Sequence, residues 1–176
     1  MSRGAMGTAL GVSLSLLLAG ALPAQANTTQ ATLLDRIQIE DLIIDYYSQL
    51  GGTKSATFGD EYTEDGELVL GERVVKGRAA IKALYESIRT NGEAPAARMN
   101  VLVSNPRITV TGDTAHGEFV YTGILVPDPA KAPVLHEQGR EIDAFVKVNG
   151  EWKIKRRQII NDANAGMGAP ASRPAE

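Results

Sequence analysis

The second half of the chain contains four strand-like runs in succession, and this feature most constrains the fold. The runs are rich in β-branched and aromatic residues and cover Val101–Thr111, Thr114–Val126, Leu135–Val148 and Glu151–Asn161. Asn149-Gly150 joins the last two runs, and an Asn-Gly pair between alternating runs is the strongest short-range hairpin signal. The sequence therefore predicts a long antiparallel meander.

A helical pattern precedes the meander. Thr32 is placed to cap a helix whose apolar stripe is Ile39, Ile43, Tyr46 and Leu50, and Gly51-Gly52 ends it. Further apolar residues widen this face and predict that the helix lies against a sheet. They are Leu33, Leu34, Ile37, Leu42 and Ile44.

Two more helices are predicted, over Ser55–Tyr62 and Ala79–Arg89. Between them lie two short strands, Glu67–Leu70 and Arg73–Val75, joined by Gly71-Glu72. Helices followed by a meander indicate an α+β fold, in which about three N-terminal helices pack in the concave face of a curved antiparallel sheet.

The N-terminus has the pattern of a secretory signal peptide. Arg3 precedes an unbroken small and apolar segment, and Ala24-Gln25-Ala26 has the form of a cleavage site. We expect cleavage after Ala26, one domain over residues 27–162, and a disordered tail over residues 163–176. The expected destination is the periplasm or the exterior. An uncleaved membrane anchor is the alternative.

Composition excludes several classes of function. The chain has no cysteine, which removes disulfides, thiolate metal sites and a cysteine nucleophile. The net charge of −3 gives no basic surface for nucleic acid. No phosphate-binding glycine loop, dinucleotide fingerprint or Ser-His-Asp pattern is present, so we expect no nucleotide cofactor.

Several short motifs together resemble the SnoaL-like branch of the nuclear-transport-factor-2-like (NTF2-like) superfamily. They are Ile39-Glu40-Asp41-Leu42, Tyr62-Thr63-Glu64-Asp65-Gly66, Lys76-Gly77-Arg78, Ser104-Asn105-Pro106, Gly112-Asp113-Thr114-Ala115, Gly139-Arg140-Glu141-Ile142-Asp143 and Gly150-Glu151-Trp152. The resemblance covers nearly all of the chain after the signal. It implies a cone-shaped fold around a small apolar or aromatic molecule, and a homodimer or other homo-oligomer.

The resemblance also implies where acid-base chemistry would occur. Dehydratase-like members carry a Tyr on the first helix, an Asp five residues later, and a His at the start of the first long strand. Here the Tyr position is Tyr46, but Gly51 and Val101 occupy the other two positions. The usual Asp-His pair is therefore not carried over.

The expected catalytic residues are Tyr46, Glu141 and His136. Tyr46 could donate a hydrogen bond to a developing oxyanion, with one of Tyr46 and Tyr47 facing the interior and the other packing outward or against the sheet. Strand alternation places Glu141 on the face opposite Arg140 and His136, and enclosure by apolar walls would raise the pKa of Glu141 toward a useful range. A solvated, charged strand and a surface histidine are the alternatives.

The remaining candidates would bind substrate. Alternation sends Arg156 and Arg157 to opposite faces, and one of the two could orient a phenolate or enolate. The expected substrate-binding residues are Tyr47, Phe58, Tyr62, Arg98, Asn100, Arg140 and Arg156. His116 and Glu118 share a strand face, but they lack a third metal ligand, so no metal site is expected.

These observations lead to two hypotheses. The first is a cofactor-independent lyase or isomerase acting on a small aromatic or polycyclic compound. The second is a non-catalytic periplasmic protein that binds a small ligand or forms a dimeric interaction module.

Overall fold

The computed structural model describes residues 28–49, 58–91, 98–126, 128 and 130–163. The predicted signal peptide and its cleavage site lie outside the described residues, as do Gly51 and residues 164–176 of the predicted tail. The first residue of that tail, Ala163, ends the last strand. No helix in the described part of the chain is long and apolar enough to cross a membrane.

The described residues form two helices and one six-stranded sheet. In chain order the elements are α1 (Gln30–Ser48), β1 (Tyr62–Leu70), β2 (Arg73–Lys76), α2 (Arg78–Asn91), β3 (Arg98–Thr111), β4 (Thr114–Val126), β5 (Val134–Val148) and β6 (Glu151–Ala163). The strand order across the sheet is β2-β1-β6-β5-β4-β3. β1 pairs in parallel with β6, and all other pairs are antiparallel. The α+β class and the four-strand meander are confirmed.

The β5-β6 hairpin turns at the predicted Asn-Gly pair. Asn149 and Gly150 have φ angles of 53° and 85°, and Val148 pairs with Glu151 directly before and after them. Positive φ at both central residues matches the right-handed twist of the strands, and Asn and Gly tolerate it best. This hairpin brings β6 beside β5, where the ionisable residues of the interior lie.

The prediction of three helices is wrong for the described residues, which contain two. Residues 58–61 of the predicted second helix form a turn, and Tyr62 already belongs to β1. Gly59 has a φ of 99°, which is not helical, and the carbonyl oxygen of Glu61 accepts a hydrogen bond from the Ile154 amide at 2.8 Å. Pairing with the sheet therefore overrides a weak local helix signal.

The N-cap of helix α1 lies three residues before the predicted cap. Thr29 is the N-cap, and Thr32, the third helical residue, accepts a hydrogen bond from the Thr29 amide at 3.0 Å. Asp35 then joins this helix to the sheet, because its carboxylate accepts hydrogen bonds from Lys147 Nζ at 2.5 Å and Trp152 Nε1 at 3.1 Å. The carboxylate fixes the N-terminal half of α1 over β5 and β6.

The core lies between the two helices and one face of the sheet, called here the inner face. Ile39, Ile43 and Tyr46 of the predicted stripe are buried there. Leu33, Leu34, Ile37 and Ile44 were predicted to widen this buried face, but they are exposed. Helix α1 contacts β3 and β6, while α2 contacts β1 and β2, so neither helix is enclosed on all sides.

Candidate functional site

Strand β5 delivers two carboxyl groups to the interior. Residues 137, 139, 141, 143 and 145 are buried, whereas His136, Gln138 and Arg140 are exposed. This is the alternation predicted from the sequence. Glu141 is 0% exposed and Asp143 is 1% exposed, so both carboxyl groups are taken out of water.

Strand β6 supplies the interior cation, and a register shift decides which arginine it is. Trp152 and Ile154 are buried, so simple alternation would place Arg156 inside. Phe145 pairs with Ile154 but Ala144 pairs with Arg156, so Lys155 is an extra residue in the ladder. Such a bulge reverses the alternation beyond it. Arg157 is therefore inside and 0% exposed, so it is the one of the two candidate arginines that reaches the interior.

Arg157, Asp143 and Glu141 form a buried ionic cluster. Asp143 and Arg157 face each other across the β5-β6 ladder, and Arg157 donates to Asp143 Oδ2 from Nη2 at 3.0 Å and from Nε at 3.2 Å. Glu141 Oε2 lies 3.6 Å from Arg157 Nη2, which is an ionic contact and not a hydrogen bond. Among the described residues, both Glu141 oxygens and Arg157 Nη1 have no hydrogen-bond partner.

Burial controls the protonation of this cluster. It raises the pKa of Glu141 to about 8, because the loss of solvent outweighs the attraction of Arg157. Burial also raises the pKa of Asp143, but its ion pair with Arg157 opposes the rise. A pKa of about 8 favours the protonated form of Glu141 at neutral pH, while Asp143 is the carboxyl group that is hydrogen-bonded to the guanidinium.

An aromatic group closes the other side of the cluster. The guanidinium carbon of Arg157 lies 3.8 Å from the centre of the Tyr46 ring, a cation-π contact. The hydroxyl groups of Tyr46 and Tyr85 are hydrogen-bonded to each other. Phe58 lies between these rings, with its centroid 4.7 Å from Tyr46 and 4.1 Å from Tyr85. Burial raises the pKa of both tyrosines, so the hydroxyl groups remain neutral donors.

Four predicted residues thus meet at the interior: Tyr46, Phe58, Tyr62 and Glu141. Tyr62 is fully buried 6.2 Å from Tyr46, measured between ring centres. Tyr47 is buried as well, with its ring centre 5.6 Å from the guanidinium carbon of Arg157, so it packs against the sheet and not outward, which is one of the two arrangements expected for it. Helix α1, which carries both side chains, contacts β3 and β6.

A groove of about 730 Å³ lies between the C-terminal end of α1 and strands β3 and β4. Tyr47, Met99, Val101, Val103 and Ile124 contribute to its wall. Asn100 also borders the groove, but it is exposed on a strand whose flanking residues, Met99 and Val101, are half-buried. Val101, which occupies the position where the resemblance implies a histidine, is therefore an apolar part of the groove wall.

The other predicted site residues do not reach the interior. His136 is exposed, Arg140 pairs with Asp162 at 2.9 Å, and Arg156 lies 3.8 Å from Glu67. Each belongs to the face of its strand that the helices do not cover. Arg98 begins β3 opposite Val126, and its side chain lies outside what the structure describes.

His116 and Glu118 lie on the outer face, 3.5 Å apart, and both are more than half exposed. Within the described ranges, no three His, Asp or Glu side chains are grouped so that they could hold a metal ion.

Sequence reasoning gave no role to three interior residues, Asp143, Tyr85 and Tyr121, and left Arg157 as one of two candidates for the inward arginine. Alternation placed Asp143 inside, but nothing local assigned it a partner. The Arg157-Asp143 pair depends on the bulge, which has no clear sequence signal. Tyr85 was visible only as a member of the apolar face of its helix, and Tyr121 only as one aromatic residue of a strand.

The six-stranded sheet with two helices on one face is an α+β fold, and it is shared by an NTF2-like protein with a cystatin-like fold from Novosphingobium aromaticivorans, at 25% identity and a TM-score of 0.63 over 73% of this chain and 82% of that chain. Solved structures share this fold. Rv3472, a protein of unknown function from Mycobacterium tuberculosis, superposes with a TM-score of 0.68 at 21% identity, covering 86% of each chain. A candidate scytalone dehydratase from Novosphingobium aromaticivorans superposes with a TM-score of 0.67 at 24% identity, covering 84% of this chain and all of that one.

ActVI-ORFA from Streptomyces coelicolor is similar at 19% identity, with a TM-score of 0.65 and coverage of 74% of this chain and 96% of that chain. No curated protein matches the sequence. The chain belongs to the SnoaL-like domain family, which matches residues 31–158. The resemblance noted from the motifs is confirmed.

Proposed function

We propose that this protein is a cofactor-independent lyase or isomerase that acts on a small aromatic or polycyclic compound, with Glu141 as its proton carrier. One observation carries the proposal. The Glu141 carboxyl group is buried, neither of its oxygens is hydrogen-bonded to a described residue, and its pKa is raised to about 8. A carboxyl group kept only for stability would have partners, since an unpaired buried polar group costs about 1–3 kcal/mol.

Glu141 and Arg157 would act together on an oxygen atom of the substrate. Protonated Glu141 is a donor, and the free Nη1 of Arg157 is a second donor beside it. Two donors in a buried site stabilise negative charge that develops on a carbonyl oxygen or a departing hydroxyl group. When Glu141 gives up its proton, the Arg157 guanidinium at 3.6 Å stabilises the carboxylate that remains.

Asp143 and Tyr46 would hold the arginine in place. Asp143 accepts from Nε and Nη2 of Arg157, which leaves Nη1 as the group that is free to bind substrate. Tyr46 stacks on the guanidinium, and its hydroxyl is already engaged by Tyr85. The role first expected for Tyr46, direct donation to the substrate, therefore becomes secondary to positioning Arg157.

A second candidate function is non-catalytic binding of the same class of compound. Val101 favours it, because an apolar side chain stands in the groove wall where dehydratase-like members carry a histidine. In this case Glu141 and Arg157 would bind an oxygen atom of the ligand without moving a proton.

A screen followed by product analysis separates the two candidates. Aromatic and polycyclic alcohols and carbonyl compounds are tested for an increase in Tm, and each hit is incubated with protein and analysed by mass spectrometry and NMR. Glu141→Gln removes the proton carrier, and Glu118→Gln on the outer face is the matched control. Turnover that survives Glu141→Gln would overturn the catalytic role, while stabilisation without any product would favour binding.

The export signal and the dimer are part of the same proposal. The Arg3 leader and the Ala24-Gln25-Ala26 motif support a periplasmic or secreted protein, and N-terminal sequencing of the protein recovered from the periplasm tests cleavage after Ala26. The homodimer rests on the family resemblance, and light scattering after gel filtration gives the mass that tests it.

A further inference from the structure

A second set of polar groups lies on the inner face of the sheet, beyond the Glu141 cluster. Tyr121 is 3% exposed, and its hydroxyl oxygen has no hydrogen-bond partner among the described residues. Glu137 is 7% exposed, and burial raises the pKa of its carboxyl group. The catalytic proposal above uses neither group. An unpaired hydroxyl in a native interior needs an explanation, and a ligand is one.

Glycines on the inner face bring these side chains over the sheet. A Cβ atom at Gly139 would lie 2.7 Å from the Tyr121 hydroxyl oxygen, so that hydroxyl lies directly over Gly139. A Cβ atom at Gly123 would lie 2.7 Å from Glu137 Cγ and 2.9 Å from Met99 Cε. Glu137 therefore meets Met99, which belongs to the wall of the groove between α1 and β3.

The polar groups consequently follow one line along β5. Glu137, the Tyr121 hydroxyl over Gly139, and Glu141 occupy successive inner-face positions. Strand geometry separates the Cα atoms of Glu137 and Glu141 by about 13 Å. This line begins beside the apolar groove and ends at the Arg157 cluster.

We infer that Tyr121 and Glu137 form a second oxygen-binding subsite, and that the ligand is an elongated compound of two or more rings with a hydroxyl or carbonyl group at each end. One end would meet Glu141 and Arg157, and the other would meet Tyr121 and Glu137, while Met99 and Val101 contact the rings. A single-ring phenol is too short to reach from Glu141 to Glu137. The inference rests on the proposed function, because it takes Glu141 and Arg157 as the first end of the site.

The test compares two probes that differ in one oxygen. Biphenyl-4,4′-diol carries a hydroxyl group at each end, and 4-hydroxybiphenyl carries only one. We expect the full-length protein to bind the diol about tenfold more tightly, the value of one good hydrogen bond. Tyr121→Phe and Glu137→Gln should each reduce that preference to less than about threefold, without loss of affinity for the single alcohol. Glu118→Gln is the outer-face control and should preserve the preference.

The possible outcomes are distinct. Equal affinity of the unaltered protein for the two biphenyls, absence of binding by both, or a preference that persists in Tyr121→Phe and Glu137→Gln would each overturn the second subsite. A separate measurement tests the proposed function. The pKa of Glu141 is determined from the ¹³C chemical shift of its labelled carboxyl group as the pH is changed. If the pKa of Glu141 is ordinary but the preference for the diol still depends on Tyr121, the catalytic proposal is wrong and the second subsite is supported.

Discussion

The guanidinium of Arg157 is stacked on the ring of Tyr46, with 3.8 Å between the guanidinium carbon and the ring centre. Both side chains are buried, and the same guanidinium holds Asp143 by hydrogen bonds to both carboxylate oxygens. One arginine thus joins α1 to two neighbouring strands. The contribution of Arg157 to the free energy of unfolding can be measured directly.

Replacing this arginine should destabilise the protein strongly. Arg157→Met leaves the Asp143 carboxylate buried without its cation, and breaking a buried pair in this way costs about 3–5 kcal/mol. Arg156→Met is the matched control, because its side chain is 40% exposed and makes one long ion pair. We expect it to change the free energy of unfolding by about 0.5 kcal/mol or less. Urea denaturation measures both, and equal losses would contradict the assigned burial.

Stability should fall as pH rises, because of Glu141. The folded-state pKa of about 8 lies above the ordinary value of 4.5, so the folded protein holds a proton that the unfolded chain releases. The favourable contribution of the protonated group is fully present below pH 4.5 and is lost between that value and pH 8. The expected slope is roughly 1.4 kcal/mol per pH unit.

Glu141→Gln cannot ionise and should flatten this part of the pH dependence. Free energies of unfolding at pH 5, 6, 7 and 8 test the prediction, with Glu118→Gln as the exposed control. A slope in Glu141→Gln as steep as in the unaltered protein would show that another group is responsible.

The Tyr46-Tyr85 hydroxyl pair should show strong energetic coupling. Tyr46→Phe or Tyr85→Phe leaves the other hydroxyl group buried with one partner fewer, which costs about 1–3 kcal/mol. The double replacement removes both hydroxyl groups, so it should cost less than the sum of the single replacements. A double-mutant cycle measured by denaturation gives the coupling, and strict additivity would argue against the hydrogen bond.

Gly139→Ala should be more damaging than Gly123→Ala. A Cβ atom at Gly139 would lie 2.1 Å from the Ile160 carbonyl oxygen, which is backbone and cannot move cheaply. At Gly123 the close atoms belong to the flexible side chains of Glu137 and Met99, which can move aside. We expect a loss of about 3 kcal/mol for Gly139→Ala and about 1 kcal/mol for Gly123→Ala. Thermal unfolding of the two variants ranks them, and the reverse order would contradict the packing described.

The sequence predicted the sheet better than the helices, for a physical reason. Period-two alternation and the Asn149-Gly150 turn are local signals, and they placed Glu141 and Arg140 on opposite faces of β5. The predicted helix over Ser55–Tyr62 competed with pairing between Glu61 and Ile154, which are far apart in the chain. The helical pattern of a short segment carries no information about a hydrogen bond to a residue so far away in the sequence.

The candidate site was only partly predictable. Glu141 and Tyr46 follow from alternation and helical period, but the inward arginine does not. The extra residue at Lys155 reverses the alternation, and its position depends on how β5 and β6 pair. Exposure of Leu33 and Ile37 was missed for a similar reason, since the width of the buried face depends on how much sheet lies beneath α1.

Gly117, Gly123 and Gly139 all lie on the inner face, and a side chain from a neighbouring position covers each of them. Large groups such as the Tyr121 ring can therefore lie flat across the sheet instead of standing upright on it. A glycine on one strand sets the tilt of a functional group on the next. Replacing one of these glycines would thus change the orientation of a neighbouring polar group without changing that group itself. The specificity of related proteins could diverge in this way while every polar side chain stays the same.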